Sequence, residues 1–326
     1  MGDCNIMQKN KQQPGTISVL IPSYGHADYI QLTLASIFEQ SRQPYEVIVI
    51  NDGSPDDTAS AVAPFLDRII YIEQENQGLI QSLNRGLQIC TGDYVQFLAS
   101  DDWLASGTFE TSATILDNHP DIGLVHGGIT IVDEKGNLYP HLEARQHSLG
   151  KHRDTVGLIL GNYIFVPATL CRRKALEAAG PFRPYLFCQD WEMWLRIALD
   201  GWYLYGIKEP LAFYRRHASN ISRPENMKKA LQEELKMLSH LHHRFEGRIS
   251  PEEAAAFASS KRQLLRALAW ANLLSEEPTL ARKLFMRLLI KKPDLNSARG
   301  LVSSFLPIRL HYEAKKLYLK LRGWKA

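Results

Sequence analysis

The chain has 326 residues, 45% of them apolar and 22% charged, and a net charge of +3. That composition suits a globular protein with one large domain and an appendage, and it excludes a fibrous or low-complexity chain. No apolar run of about 18 residues occurs, which excludes a hydrophobic membrane-spanning helix. The cysteines, Cys4, Cys90, Cys171 and Cys188, form no CxxC pair and read as free thiols in a reducing compartment.

In chain order, residues 1–15 read as a disordered leader ending at Pro14-Gly15. Ile17 to Ile21 is a short buried strand rich in β-branched residues and stopped by Pro22. Residues 28–40 place Ile30, Leu34, Ile37 and Phe38 at helical spacing, with Asp28 as an N-cap. A second apolar strand, Glu46 to Ile50, runs into the turn Asn51-Asp52-Gly53-Ser54-Pro55, followed by a helix over about 57–66. Ile69 to Ile72, a helix over 78–89, and Tyr94 to Leu98 complete a β-α-β-α-β-α-β series. Near-continuous apolar strands alternating with helices imply a parallel sheet covered on both faces. Ligands of such sheets bind beyond the carboxyl ends of the strands. Ser23-Tyr24, Asn51-Asp52 and Ser100-Asp101-Asp102 all fall at those ends.

The middle of the chain is mixed, with a strand over 124–132, a turn at Gly136-Asn137 and a helix over 190–199. From about Pro224 the pattern is helical: 226–245, 251–274, 278–290 and 308–322. Charge is uneven. From Arg282 onward there are twelve Lys or Arg against Asp294 and Glu313, a balance of +10 that leaves −7 for residues 1–281. The stretch 299–322 is a basic amphipathic helix that either meets an anionic membrane surface or packs on the rest of its own chain. No nucleic-acid-binding motif accompanies the charge.

Five places carry candidate chemistry. Asp101 and Asp102 are hard oxygen ligands for Mg²⁺ or Mn²⁺, or else open a helix as caps. Asp52 either accepts hydrogen bonds from a nucleobase or ribose or closes an Asx-turn. Tyr24 offers a ring to stack on a base. Asp190, beside Trp191 and ahead of an apolar helix, serves as a general base or as a helix cap. Arg216 and His217 offer a phosphate grip and an imidazole ligand.

The ordered set ISVLIPSYGHADYIQLTLASIFEQSRQPYEVIVINDGSPDDT, ENQGLIQSLNRGLQICTGDYVQFLASDD, CQDWEMWLRIALDG and YRRH resembles the family-2 glycosyltransferases over about residues 16–220. The resemblance implies a GT-A fold, an α/β fold with a mostly parallel sheet flanked by helices. It implies a catalytic domain over 16–222 and a helical region over 223–326, basic at its end. It implies transfer of a sugar, with inversion, from a nucleotide-diphosphate donor to a saccharide or lipid-linked acceptor in polysaccharide, glycolipid or cell-envelope glycan assembly. UDP is the commoner nucleotide in that family, with dTDP and GDP also open. Such an enzyme would be cytoplasmic, or peripheral at the cytoplasmic face of the membrane. By the same similarity, Pro22 and Tyr24 line the base pocket, Asp52 bonds the base, and Asp101 lies near the ribose or metal. Asp102, with His217 as a further candidate, ligates a divalent cation, Mn²⁺ or Mg²⁺. Arg216 lies near the diphosphate, and Asp190 is the catalytic base. Ala99 stands where many relatives carry the first acid of Asp-x-Asp-Asp, and Gln189 replaces a frequent acid.

Three other readings make different demands. A dehydrogenase needs Gly-x-Gly-x-x-Gly after the first strand, where this chain has Pro22-Ser23-Tyr24-Gly25-His26-Ala27. A nucleotidyltransferase usually carries a Gly-rich basic loop there. A non-catalytic sugar-nucleotide-binding protein would keep Tyr24 and Asp52 and have no use for Asp190.

Overall fold

The structure, a computed structural model, describes residues 14–143, 148–221, 223–275 and 277–305. Cys4, most of the expected leader and the expected helix over 308–322 lie outside them. The chain forms two compact units. The first comprises residues up to 154, 162–183 and 193–217; the second comprises 155–161, 184–192 and the chain from 218 onward. The first unit ends at His217, and two short internal segments belong to the second.

The first unit is a curled sheet with helices. Its elements are β1 (Ile17–Ser23), α1 (Ile30–Phe38), β2 (Glu46–Asp52), α2 (Thr58–Val62), β3 (Ile70–Gln74), α3 (Leu79–Ile89), β4 (Tyr94–Phe97), β5 (Trp103–Leu104), α4 (Thr108–Asn118), β6 (Ile122–Val132), β7 (Leu138–Glu143) and β8 (Gly150–His152). After α5 (Thr155–Leu160), which belongs to the second unit, come β9 (Thr169–Arg172), α6 (Arg173–Ala179), α7 (Gln189–Leu199) and β10 (Tyr203–Arg215).

Strand order is β3-β2-β1-β4-β9-β6-β10-β5, with β7 on β6 and β8 on β10. β3, β2, β1 and β4 pair in parallel, as the alternating strands and helices predict. Beyond β4 the sheet is mixed: β9 lies antiparallel between β4 and β6, while β10 is parallel to β6. A parallel pair needs a crossover helix, and the apolar runs with helical spacers stop near residue 100.

β1 is buried on both faces, as a central parallel strand must be. Val19 and Ile21 meet Ile30, Leu34 and Ile37 of α1 in the main core. α3 packs so closely on the sheet that a Cβ on Gly86 would lie 2.1 Å from Leu20 Cδ1. The N-cap of α1 is Tyr29 without a side-chain cap bond, so the capping expected of Asp28 is not made. Backbone N–H groups of Tyr29 and Ile30 instead donate to His26 O.

In the second unit α8 (Met227–Arg244), α9 (Pro251–Leu274), α10 (Pro278–Lys291) and α11 (Leu295–Ser303) follow one another. Ser250 and Glu253 form a capping box at the start of α9. Ala269, Leu273, Ala281, Phe285 and Leu288 form the core of α9 and α10. α11 precedes the helix expected over 308–322 and overlaps the start of the amphipathic stretch 299–322. It closes on that core because Gly300 admits the Phe285 ring, 2.3 Å from where a Cβ would stand.

Candidate functional site

The site of the first unit grows from the carboxyl ends of β1, β2, β4 and β10. Past β1 and β2 two loops are stitched together: Gly25 N donates to Ser54 Oγ at 3.0 Å and Ala27 N to Asp56 Oδ2 at 2.9 Å. Tyr24 stands out of this seam, 51% exposed, and Pro22 is half-buried at the β1 end, level with Ile50 of β2. An aromatic face left in water at a strand end is available for stacking.

Asp52 is buried at 4% exposure. Its Oδ1 accepts from Gln77 N at 2.9 Å and from Gln74 Nε2 at 2.7 Å, and its Oδ2 from Gly78 N at 2.8 Å. The Asx-turn of this segment is made by its neighbour, with Ser54 N donating to Asn51 Oδ1. Gly53 has φ +69°, and a Cβ there would lie 2.8 Å from Asn76 N, so only glycine fits between the two loops.

The adjacent acids 101 and 102 diverge. Asp102 is buried, and its Oδ1 accepts from Arg215 N at 2.9 Å. Burial and the Asp101 charge push its carboxyl well above the usual carboxylate range. Thr33 Oγ1 of α1 reaches the carbonyls of Ser100 and Asp102, pinning the turn from below. Asp101 presents Oδ2 to His217 Nε2 at 2.8 Å. His26 Nδ1 lies 2.8 Å from Ser100 Oγ, and its ring centroid is 5.5 Å from that of His217. One ligand atom each from His26, Asp101 and His217 lie within 4.8 Å of one another.

This triad could hold a metal ion; Asp102 lies outside it. Burial holds the His26 pKa below the ordinary imidazole value, with His217 adding and Asp101 opposing. A neutral imidazole is the ligating form. Arg215, itself buried, donates from Nε to Asp101 O and from Nη1 to Glu134 O, and lies over the Tyr29 and Trp103 rings. It fixes the backbone of Asp101 through its side chain and the carboxylate of Asp102 through its backbone N–H. Arg216 is exposed, with its N–H bonded to Val132 O.

His26 carries no signal of its own in the sequence. Its position just past the first strand, in the same stretch as Tyr24, is what could have marked it.

The second unit carries Asp190, half-buried in the first turn of α7. Its Oδ1 accepts from Trp191 N at 2.7 Å, and Trp191 Nε1 donates to Leu158 O of α5 at 2.7 Å. The segment ahead of α7 is held by α8: Phe187 N donates to Glu233 Oε2 at 2.9 Å. Burial, then the neighbouring Asp190 charge, push Glu234 of α8 up to about 7. Burial, then the Glu234, Asp190, Glu233 and Glu192 charges, push the Cys188 thiol pKa up, away from the reactive thiolate. Neither Glu233 nor Glu234 was found by reading motifs, because they sit on an ordinary amphipathic helix.

Solved structures resemble this architecture. A mannosyltransferase from Pyrobaculum calidifontis, PcManGT, solved with GDP-Man and Mn²⁺, matches at TM-score 0.59 and 19% identity over 96% of this chain and 84% of its own. S. aureus TarS residues 1–349, solved with UDP-GlcNAc, match at 0.54 and 16% over 92% of each chain. The fold is therefore of the GT-A glycosyltransferase type. Residues 18–180 match the model of glycosyl transferase family 2, and the chain belongs to that family. An uncharacterized glycosyltransferase of Rickettsia conorii is 31% identical over 56% of this chain. Glycosyltransferase GlyA of Streptococcus pneumoniae is 36% identical over 39%. The chain spans 31% and 18% of the lengths of these two relatives.

Proposed function

We propose that this protein transfers a sugar from a nucleoside-diphosphate donor, a UDP-sugar in the first instance, to an acceptor hydroxyl with inversion at the anomeric carbon. The observation that carries the reading is the convergence of His26, Asp101 and His217 at the carboxyl edge of a family-2 sheet, beside Tyr24 and Asp52. One carboxylate oxygen and two imidazole nitrogens suit Mn²⁺ better than Mg²⁺, which favours all-oxygen sites. Asp101 and His217 would hold the ion, with His26 as third ligand, in place of the Asp102 assignment implied by resemblance. A divalent cation held by these residues would supply charge neutralisation at the diphosphate and Lewis-acid assistance to the leaving group.

The chain's own groups do the rest. Tyr24 stacks on the base above Pro22, and Asp52 keeps one lone-pair direction for a base N–H after its three internal bonds. Arg216, exposed and cationic, meets diphosphate oxygens. Asp190 takes the proton from the acceptor hydroxyl, whose oxygen attacks the anomeric carbon opposite the leaving group. The structures solved with GDP-Man and UDP-GlcNAc support the donor class. The acceptor is a saccharide or lipid-linked saccharide of envelope glycan assembly, met at the cytoplasmic face.

The test is calorimetric titration of UDP-sugars with and without Mn²⁺, followed by an assay for release of nucleoside diphosphate. Asp101→Asn and His217→Ala should each abolish the Mn²⁺-dependent part of binding. Asp190→Asn should leave binding intact and cut turnover by about 10²–10⁴-fold, the usual worth of a general base. Metal-independent binding in the wild type, or full turnover in Asp190→Asn, would refute the reading.

A further inference from the structure

α10 buries one face, through Ala281, Phe285 and Leu288, and leaves the other in water. On the wet face Lys283, Met286, Arg287, Ile290 and Lys291 fall at steps of three and four residues, so they form a single stripe. Met286 is 48% exposed and Ile290 79%. With Arg282 this stripe lines an open groove of about 460 Å³. α11 repeats the pattern: Leu295, Arg299 and Val302 are spaced by four and three, all exposed, and Phe305 follows, also exposed. Neither helix contains an acidic residue. Asp294, between them, is consumed internally: it caps α11 through Ser297 N and pairs with Arg262 and Arg266.

Large aliphatic side chains interleaved with uncompensated cations restrict what can cover such a face. Nucleic acid phosphates would answer the cations but leave Met286 and Ile290 against polar backbone. The chain's own end, residues 306–326, carries six Lys or Arg against Glu313 and repels the face instead of complementing it. A bilayer with anionic headgroups offers both partners at once: phosphates at the level of the ammonium and guanidinium groups, and the acyl boundary for the aliphatic tips. No described helix is long and apolar enough to cross a membrane, so the contact is one of lying on the surface.

We propose that the exposed face of α10, continued on α11, docks this protein on an anionic lipid bilayer. This does not depend on the sugar-transfer reading and concerns different residues. The full chain is tested by flotation with vesicles of phosphatidylcholine alone and of phosphatidylcholine containing phosphatidylglycerol. Binding is expected only to the anionic vesicles and should weaken with salt.

A cation near such a surface is worth roughly fivefold in partitioning, so Lys283→Gln/Arg287→Gln/Lys291→Gln should lower it about a hundredfold. Met286→Ser/Ile290→Ser should lower it about tenfold at unchanged charge. All five side chains are exposed, so unchanged melting curves will establish that the variants fold. Wild-type affinity of both variants would overturn the proposal. So would loss of binding only on removal of residues 306–326, which would move the contact to the chain end. Equal binding of wild type and Met286→Ser/Ile290→Ser, with the charge variant alone defective and a duplex oligonucleotide competing fully, would make the face a nucleic-acid site instead.

Discussion

His126 of β6 is buried at 4% exposure with its Nε2 3.1 Å from Nε2 of His152 on β8. His152 Nδ1 accepts from Asp154 N, which puts the His152 proton on Nε2, and that proton is donated to His126. The pair closes only while His126 is neutral. Burial, then the second imidazole, push the His126 pKa down to about 3. An unfolded histidine titrates near 6.5. Between those values the unfolded chain takes up a proton that the native state refuses. The stability this group contributes is thus complete above about pH 6.5 and is lost as the pH falls toward 3. At about 1.4 kcal/mol per pH unit, going from about pH 7 to about pH 5 costs roughly 2 kcal/mol. For a unit of this size that is about 4–8 °C in Tm. His126→Gln keeps a hydrogen-bonding side chain that does not titrate. Thermal melts of wild type and variant at about pH 7, 6 and 5 should diverge, the variant losing about 2 kcal/mol less to acid. All other titrating groups are common to both, so parallel curves would refute the assignment.

Three further predictions follow from particular contacts. The Glu234 carboxyl is raised to about 7 beside Asp190, so its folded value exceeds its unfolded one and its stabilisation is lost as the pH rises from about 4.5 to 7. Glu234→Gln should therefore raise the Tm at about pH 8 more than at about pH 5; an equal Tm change at both values counts against it. Gly86→Ala drives a methyl into Leu20 and should cost about 1–3 kcal/mol in urea unfolding. In a Leu20→Ala background the same change should stabilise by up to about 1 kcal/mol, through helix propensity. Arg196 is buried and donates to the carbonyls of Ala179, Gly180 and Pro181. Arg196→Met, by stranding those acceptors, should destabilise by about 3 kcal/mol or more, and a loss under 1 kcal/mol would show that water replaces the guanidinium.

The first hundred residues were legible because parallel strands buried on both faces must be apolar without interruption. Ile17–Ile21, Glu46–Ile50 and Tyr94–Leu98 advertise themselves, and observed boundaries differ by only a few residues. β10 was not legible: its thirteen residues include Pro210, which reads as a breaker, yet the strand survives because the proline sits at a register shift against β6. The separate orientations of Asp101 and Asp102 were beyond sequence reading for a similar reason. They are settled by the N–H of Arg215, 113 residues from Asp102, and by the imidazole of His217, 116 residues from Asp101. Residue types at the edge of the sheet could be read locally, whereas the way each acid faces is fixed by a strand that joins the sheet late.

The three hydrogen bonds that Asp52 accepts bear on what position 52 can tolerate. Its carboxylate is the latch on the connection into α3, since Gln77 and Gly78 lose their backbone acceptor if it goes. Drift at position 52 would slacken that crossover before it altered any choice among bases. Under the proposed donor reading, discrimination among bases would fall to side chains that hold no backbone in place, such as Tyr24 at 51% exposure.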